Sequence, residues 1–177
     1  MHRLFVAARP PEPIRHQLLG LMSGVAEARW QEDEQLHITL RFIGEVDGRM
    51  AEDIAEALLA VRHPPIDTAI EGIGTFERKG RIDALWAGLS PADALAALHR
   101  KIDHALVRIG LPPEGRAFHP HITLARFGRK GADVSSFAAL HAGLASPPFR
   151  LDSFGLYESR LGSAGAQYEQ MARYKLG

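Results

Sequence analysis

Three observations predict an α+β protein with mainly antiparallel sheets, built from two related halves. The tetrapeptide His-Ile-Thr-Leu occurs twice, at 37–40 and 121–124, and each copy runs on to a glycine seven residues past its histidine, Gly44 and Gly128. A repeated apolar strand pattern around a fixed His-x-Thr points to two half-domains of common design. Helical and strand patterns alternate along the chain, yet hairpins interrupt them, which disfavours a doubly wound parallel sheet. No linker is long enough to free one half from the other, so the 177 residues read as one bilobal domain spanning 1–177.

The elements follow in order. Arg3 to Ala8 reads as a first strand, closed by prolines at 10, 11 and 13, after which Ile14, Leu18, Leu21 and Val25 fall at helical spacing. Leu36 to Ile43 alternates, which puts Leu36, Ile38, Leu40 and Phe42 on one face and His37, Thr39, Arg41 and Ile43 on the other. Asp47 is placed to cap a second helix with the stripe Met50, Ile54, Leu58 and Val61, which His63-Pro64-Pro65 ends. Two strands, 66–76 and 82–89, flank the charged turn Glu77-Arg78-Lys79-Gly80-Arg81 and form a hairpin. Ser90-Pro91-Ala92-Asp93 reads as a capped helix start, Leu95, Leu98, Ile102, Leu106 and Ile109 as its buried stripe, and Gly110 as its end. The second His-Ile-Thr-Leu strand comes next. A short helix around 133–144 and strands at 149–158 and 166–174 complete the chain, with a glycine- and serine-rich loop at 159–165.

Composition bounds the function. Lys+Arg and Asp+Glu both number 21, so no global positive field exists to hold long duplex nucleic acid. With no cysteine, disulfides, thiol nucleophiles and thiolate metal sites are excluded, and a reducing cytoplasm is the expected compartment. The apolar run near the start is far too short for a membrane span, and we expect no membrane contact.

The two repeats carry the chemistry. Imidazole titrates near pH ~6.5, so two histidines on either side of a phosphate ester divide the work at neutral pH, one as base and one as acid, without a metal. A threonine two residues on shares the strand face and offers a hydroxyl to a non-bridging oxygen. A lone strand histidine is more often a surface or core residue; two in the same local context are not easily explained so. Neither copy has an Asp or Glu beside its histidine, as a zinc site would favour, and no Gly-x-Ser-x-Gly elbow is present. Arg126, five positions after His121, falls by strict alternation on the opposite face, unless a bulge near Ala125 re-aims it. Arg41 shares the face of His37 but is matched by Ala125 in the second repeat. Phe5, Phe42 and Phe118 are candidates for stacking a terminal base, Phe42 the weakest because it reads as core. Arg78, Lys79, Arg81, Arg129, Lys130 and Arg160, all expected in loops, are candidates to ring a cleft mouth. His119 reads as a loop residue ahead of the second strand.

Two His-x-Thr strands about eighty residues apart resemble the 2H phosphoesterase superfamily. The segments 3–7, 36–46, 85–88, 118–126 and 157–159, with Gly165 and Tyr168, are together similar to the RNA 2′,3′-cyclic phosphodiesterases, also called 2′-5′ RNA ligases. The resemblance implies a bilobal, pseudo-twofold fold with two mainly antiparallel sheets facing a central cleft and helices outside. It implies hydrolysis of a 2′,3′-cyclic phosphate at an RNA 3′ end to a 2′-phosphate, with 2′-5′ ligation as a side activity. It also implies no metal or cofactor, RNA 3′ ends or cyclic nucleotides as partners, and a monomer. Carried residue by residue, His37 becomes the proton donor and His121 the proton acceptor, with Thr39, Thr123 and Arg126 binding substrate. The alternatives are a related enzyme acting on a small cyclic nucleotide or a 2′-5′ oligonucleotide, and a non-catalytic RNA-end binding protein.

Overall fold

The computed structural model describes residues 1–177. Nine strands follow one another as β1 (His2–Ala8), β2 (Arg29–Trp30), β3 (Ile38–Val46), β4 (Ile66–Arg78), β5 (Arg81–Ser90), β6 (His121–Arg126), β7 (Phe149–Leu151), β8 (Ser153–Gly162) and β9 (Gly165–Lys175). Four helices, α1 (Glu12–Leu19), α2 (Gly48–Leu58), α3 (Asp93–Arg108) and α4 (Ser135–Leu140), and a 3₁₀ turn at Asp33–Gln35 fill the intervals. The strands lie in the order β7-β4-β5-β6-β3-β1-β8-β9, with β2 added beside β6. Every pairing is antiparallel. This is the α+β architecture that the patterning predicts.

The order is symmetric about its middle. Four strands from each half meet only where Ile38 pairs with Ile122, the same position of the two repeats. A pseudo-twofold axis therefore passes between β3 and β6. It relates β1 to β5 and β8 to β4, since Phe5 sits between Phe42 and Tyr157 as Ala84 sits between Arg126 and Phe76. Burying the alternate faces of these strands under α2 and α3 creates one continuous core of 33 residues. Ile38, Ile122, Leu124, Leu98, Ile102 and Leu106 are wholly buried in it. Each fully buried aliphatic side chain contributes roughly 1.5–3 kcal/mol, so the junction of the halves is itself a main source of stability.

Several boundaries differ from the sequence expectations, each for a physical reason. The first helix stops at Leu19, one residue before Gly20, so Leu21 and Val25 pack from a turn rather than from the helix. The α3 start has no hydroxyl cap: Ser90 is the last residue of β5, paired with Ala69, and Ala92 occupies the capping position. Asp47 does cap α2, accepting a hydrogen bond from Met50 N at 2.8 Å. The β4–β5 turn is tighter than expected, with Lys79 and Gly80 at φ 53° and 76° closing the Arg78–Arg81 pair, the left-handed pair of a type I′ turn. The strand expected over 149–158 breaks at Asp152. Its first piece, β7, pairs with β4 at one end of the sheet, and its second, β8, pairs with β1 in the other half. The loop expected at 159–165 is mostly strand, since β8 and β9 pair out to Gly162 and Gly165. Two-residue β2 carries too little pattern to be read from sequence. No helix is long and apolar enough to cross a membrane.

Candidate active site

The two His-x-Thr segments flank the pseudo-twofold axis. With Ile38 opposite Ile122, antiparallel register sets His37 towards Thr123 and Thr39 towards His121. Ile38 and Ile122 are fully buried while the four flanking side chains are only partly so, which puts the two histidines and two threonines on the open face. The expected quartet is thus brought together at the centre of the sheet.

Each imidazole is locked in the same way. His37 Nδ1 lies 2.6 Å from the carbonyl oxygen of Gln35, and His121 Nδ1 lies 2.6 Å from that of His119. A carbonyl only accepts, so both rings carry their proton on Nδ1 and present Nε2 to the cleft. His37 Nε2 is 2.9 Å from Thr39 Oγ1, whose hydroxyl donates to it. The Gln35 carbonyl is itself held, because the 3₁₀ turn closes through Glu32 N–H donating to Gln35 Oε1 and Gln35 Nε2 donating to Ala166 O. Aromatic rings wall both imidazoles. Phe5 and Tyr168 stand 5.0 Å and 5.2 Å from His37, and Phe76 and Trp86 stand 4.8 Å and 5.8 Å from His121. Gly74 leaves the room for Trp86, since a Cβ there would lie 2.3 Å from its ring.

These surroundings set the charge state. Burial pushes the His37 imidazolium pKa down to about 4, with the positive charges of Arg126, His121 and Arg9 adding to the shift and the Gln35 carbonyl opposing it. Burial also lowers His121, helped by His119 and Arg126 and opposed by the His119 carbonyl. The free protein therefore holds two imidazoles biased to the neutral form, with positive charges close by.

Arg126 joins them through a β-bulge. On β6, Thr123 pairs with Trp86 but Ala125 pairs with Leu85, so Leu124 is an extra residue and the alternation flips beyond it. Leu124 and Ala125 are both buried, and the exposed Arg126 side chain lines the cleft. The same bulge occurs in β3, where Thr39 pairs with Ala7 and Arg41 with Val6. It overturns two expectations. Arg41, read as sharing the face of His37, is only 6% exposed and forms an ion pair with Asp103 on α3 at 2.8 Å. Phe42, read as core, is 37% exposed on the cleft with Arg3 over its ring at 5.3 Å. By symmetry Phe42 stands where the other half has Arg126.

The cleft beside the quartet measures about 760 Å³ and is lined by Thr39, Phe42, Phe76, Arg116, His121 and Arg126 among others. Of the stacking candidates, Phe5 is buried behind His37, and Phe118 lies parallel to His99 at 4.3 Å on the cleft wall. Of the cations expected in loops, Arg78, Arg81 and Arg160 instead lie in β4, β5 and β8, and Arg78 lines the cleft. Arg81 is turned to the Arg129 carbonyl, and Arg160 pairs with Glu158 and Glu169. His119 lies just ahead of β6, exposed on the cleft wall, its ring 6.2 Å from His121. Sequence reading missed Phe76, Arg9 and Arg116. Phe76 was detectable only through the symmetry that equates it with Tyr157. No three His, Asp or Glu side chains cluster closely enough to hold a metal ion.

Comparison with known proteins bears out the fold and places the chain in a family. Residues 8–162 match the family model of the 2′-5′ RNA ligase superfamily. A protein of Archaeoglobus fulgidus named RNA 2′,3′-cyclic phosphodiesterase is 30% identical over 172 residues, covering 96% of this chain and 97% of that one. Its namesake in Aeropyrum pernix is 41% identical over 102 residues, which is 57% of each chain. The fold is that of Escherichia coli LigT, solved with 3′-AMP, at TM-score 0.80 and 24% identity over 99% of this chain and 98% of that one. A Thermus thermophilus protein superposes at TM-score 0.82 and 22% identity, over 98% and 97%. With its doubled His-x-Thr strands, its pseudo-twofold sheet and a family match over most of its length, this chain belongs to the 2′-5′ RNA ligase superfamily.

Proposed function

We propose that this chain is a single bilobal RNA 2′,3′-cyclic phosphodiesterase, a metal-independent cytoplasmic monomer that opens a cyclic phosphate at an RNA 3′ end to leave a 2′-phosphate, with 2′-5′ ligation as a reverse-type side activity. The observation that carries it is the matched pair of imidazoles flanking the axis, each fixed through Nδ1 on the carbonyl two residues upstream and each with Nε2 left free of the backbone. The names of the Archaeoglobus and Aeropyrum relatives support the substrate class.

In this reading the phosphate sits on the axis. The Thr39 and Thr123 hydroxyls and the Arg126 guanidinium hold its non-bridging oxygens and stabilise the charge that builds on them. His121 Nε2 takes a proton from water as the oxygen attacks phosphorus, and the P–O3′ bond breaks on the opposite side. His37 Nε2 gives its proton to O3′, so one water is added across the bond. His37 acquires that proton because the bound phosphate anion offsets the burial, and the neighbouring positive charges, that keep it neutral in the empty site.

The test is an oligonucleotide ending in a 2′,3′-cyclic phosphate, incubated with the purified protein in EDTA, with the product phosphate mapped. Ring opening to a 2′-phosphate is predicted. No turnover, or turnover only with an added divalent ion, would refute the reading.

A further inference from the structure

Position 41 is where the two halves differ most in kind. Its symmetry mate Ala125 places a methyl group at a fully buried site, whereas Arg41 places a guanidinium there. A buried charge costs several kcal/mol unless its hydrogen bonds are met. Here all three guanidinium nitrogens are used. Nε donates to Asp103 Oδ1 at 2.8 Å, Nη1 to Phe42 O at 2.6 Å and Nη2 to Pro112 O at 2.5 Å. Asp103 Oδ1 also accepts from Glu114 N at 3.0 Å. Burial works to raise the Asp103 carboxyl, but the hydrogen bonds from Arg41 and Glu114 outweigh it and hold it below the ordinary range.

The partners are elements of both halves. Phe42 O belongs to the bulged part of β3, Asp103 to α3, and Pro112 and Glu114 to the loop that leads into β6. Phe42 and Glu114 line the cleft, as do Arg116, Phe118 and His119 farther along that loop. Arg41 also touches the cleft but is only 6% exposed, with its nitrogens committed elsewhere. Apolar packing would fill the same volume without the directional hydrogen bonds that tie Phe42 O, Asp103 and Pro112 O to one group.

We infer that Arg41 and Asp103 form a positioning clamp that sets the spacing between Phe42 and the 112–119 loop, and so the fit of the nucleotide attached to the cyclic phosphate. The clamp rests on the proposed function and deepens it. It acts on the nucleotide and leaves the imidazoles alone, so its effect falls on KM for nucleotide substrates and spares the chemical step.

Arg41→Met alone strands a buried carboxylate, so the decisive variant is the double Arg41→Met/Asp103→Leu, which removes both charges. Each protein is assayed well below its unfolding midpoint on two substrates, an oligonucleotide ending in a cyclic phosphate and a base-free five-membered cyclic phosphate of a simple diol. For the double variant we expect KM for the oligonucleotide to rise about tenfold or more, kcat to stay within about threefold, and the base-free ester to react as in the native protein. The pH profile of kcat should not move. A native KM in the double variant, or an equal loss of kcat on both substrates, overturns the clamp. If the native chain itself leaves the oligonucleotide intact, the proposed function fails instead.

Discussion

Each imidazole of the pair has one nitrogen spent on a backbone carbonyl and the other facing the cleft, and both rings sit among aromatic walls that disfavour the charged form. With the His37 pKa near 4, only about one free molecule in a thousand carries a proton on that ring at pH 7. The profile of kcat/KM reports the free protein, and the form it requires is His37 protonated with His121 neutral. Both pKa values are depressed, so the bell should peak on the acid side of the ordinary imidazole value of about 6.5. The kcat profile should lie at higher pH, because the bound anion raises both groups. A kcat/KM optimum above about pH 7 would contradict the depressed pair.

At the scale of elements, the bulge after each threonine does the positioning. It turns Arg126 into the cleft and buries the Arg41 guanidinium against α3, from segments Ile38–Phe42 and Ile122–Arg126 that share their first three residues and differ at the last two. Tight packing behind the strands matters as much. Gly74→Ala places a methyl group within 2.3 Å of the Trp86 ring, which must then leave its place beside His119 and His121. We predict a loss of about 1–3 kcal/mol in denaturant unfolding, together with a fall in kcat/KM. Unchanged stability and kinetics would show that the Trp86 wall is dispensable.

The strands, the helical stripes of α2 and α3 and the histidine–threonine quartet could be read from sequence because each is a local periodicity or an exact repeat. Arg41 and Phe42 were misread because period-2 alternation contains no signal for a bulge, which depends on how the neighbouring strands β1 and β5 pair. The break at Asp152 was missed for a similar reason. Phe149–Leu151 and Ser153–Gly162 are both apolar enough for strands, and only the edges left free in the folded sheet send them to opposite halves. Phe76 and Arg116 reach the site through long-range packing that no spacing reveals.

At the scale of the molecule, the fold sets two half-sites about one axis, so that in the proposed mechanism a single phosphate meets one imidazole and one hydroxyl from each side. The chain returns through β8 and β9 to complete the first half, where Tyr168 closes over His37 and Ala166 holds Gln35. Symmetry supplies the pair, and Phe42 in one half stands where Arg126 stands in the other, an asymmetry that in the proposed mechanism gives the substrate a direction. In the proposed mechanism the two histidines differ in role, with His37 as acid and His121 as base. The measurement that tests this most directly compares His37→Ala and His121→Ala on the ordinary cyclic phosphate and on an analogue with a much better leaving group on the 3′ side. Each variant should lose about a hundredfold or more on the ordinary substrate. A good leaving group needs no acid, so the analogue should restore turnover to His37→Ala and leave His121→Ala inactive. Rescue of His121→Ala in place of His37→Ala would reverse the assignment, and rescue of neither would contradict a division of acid and base across the axis.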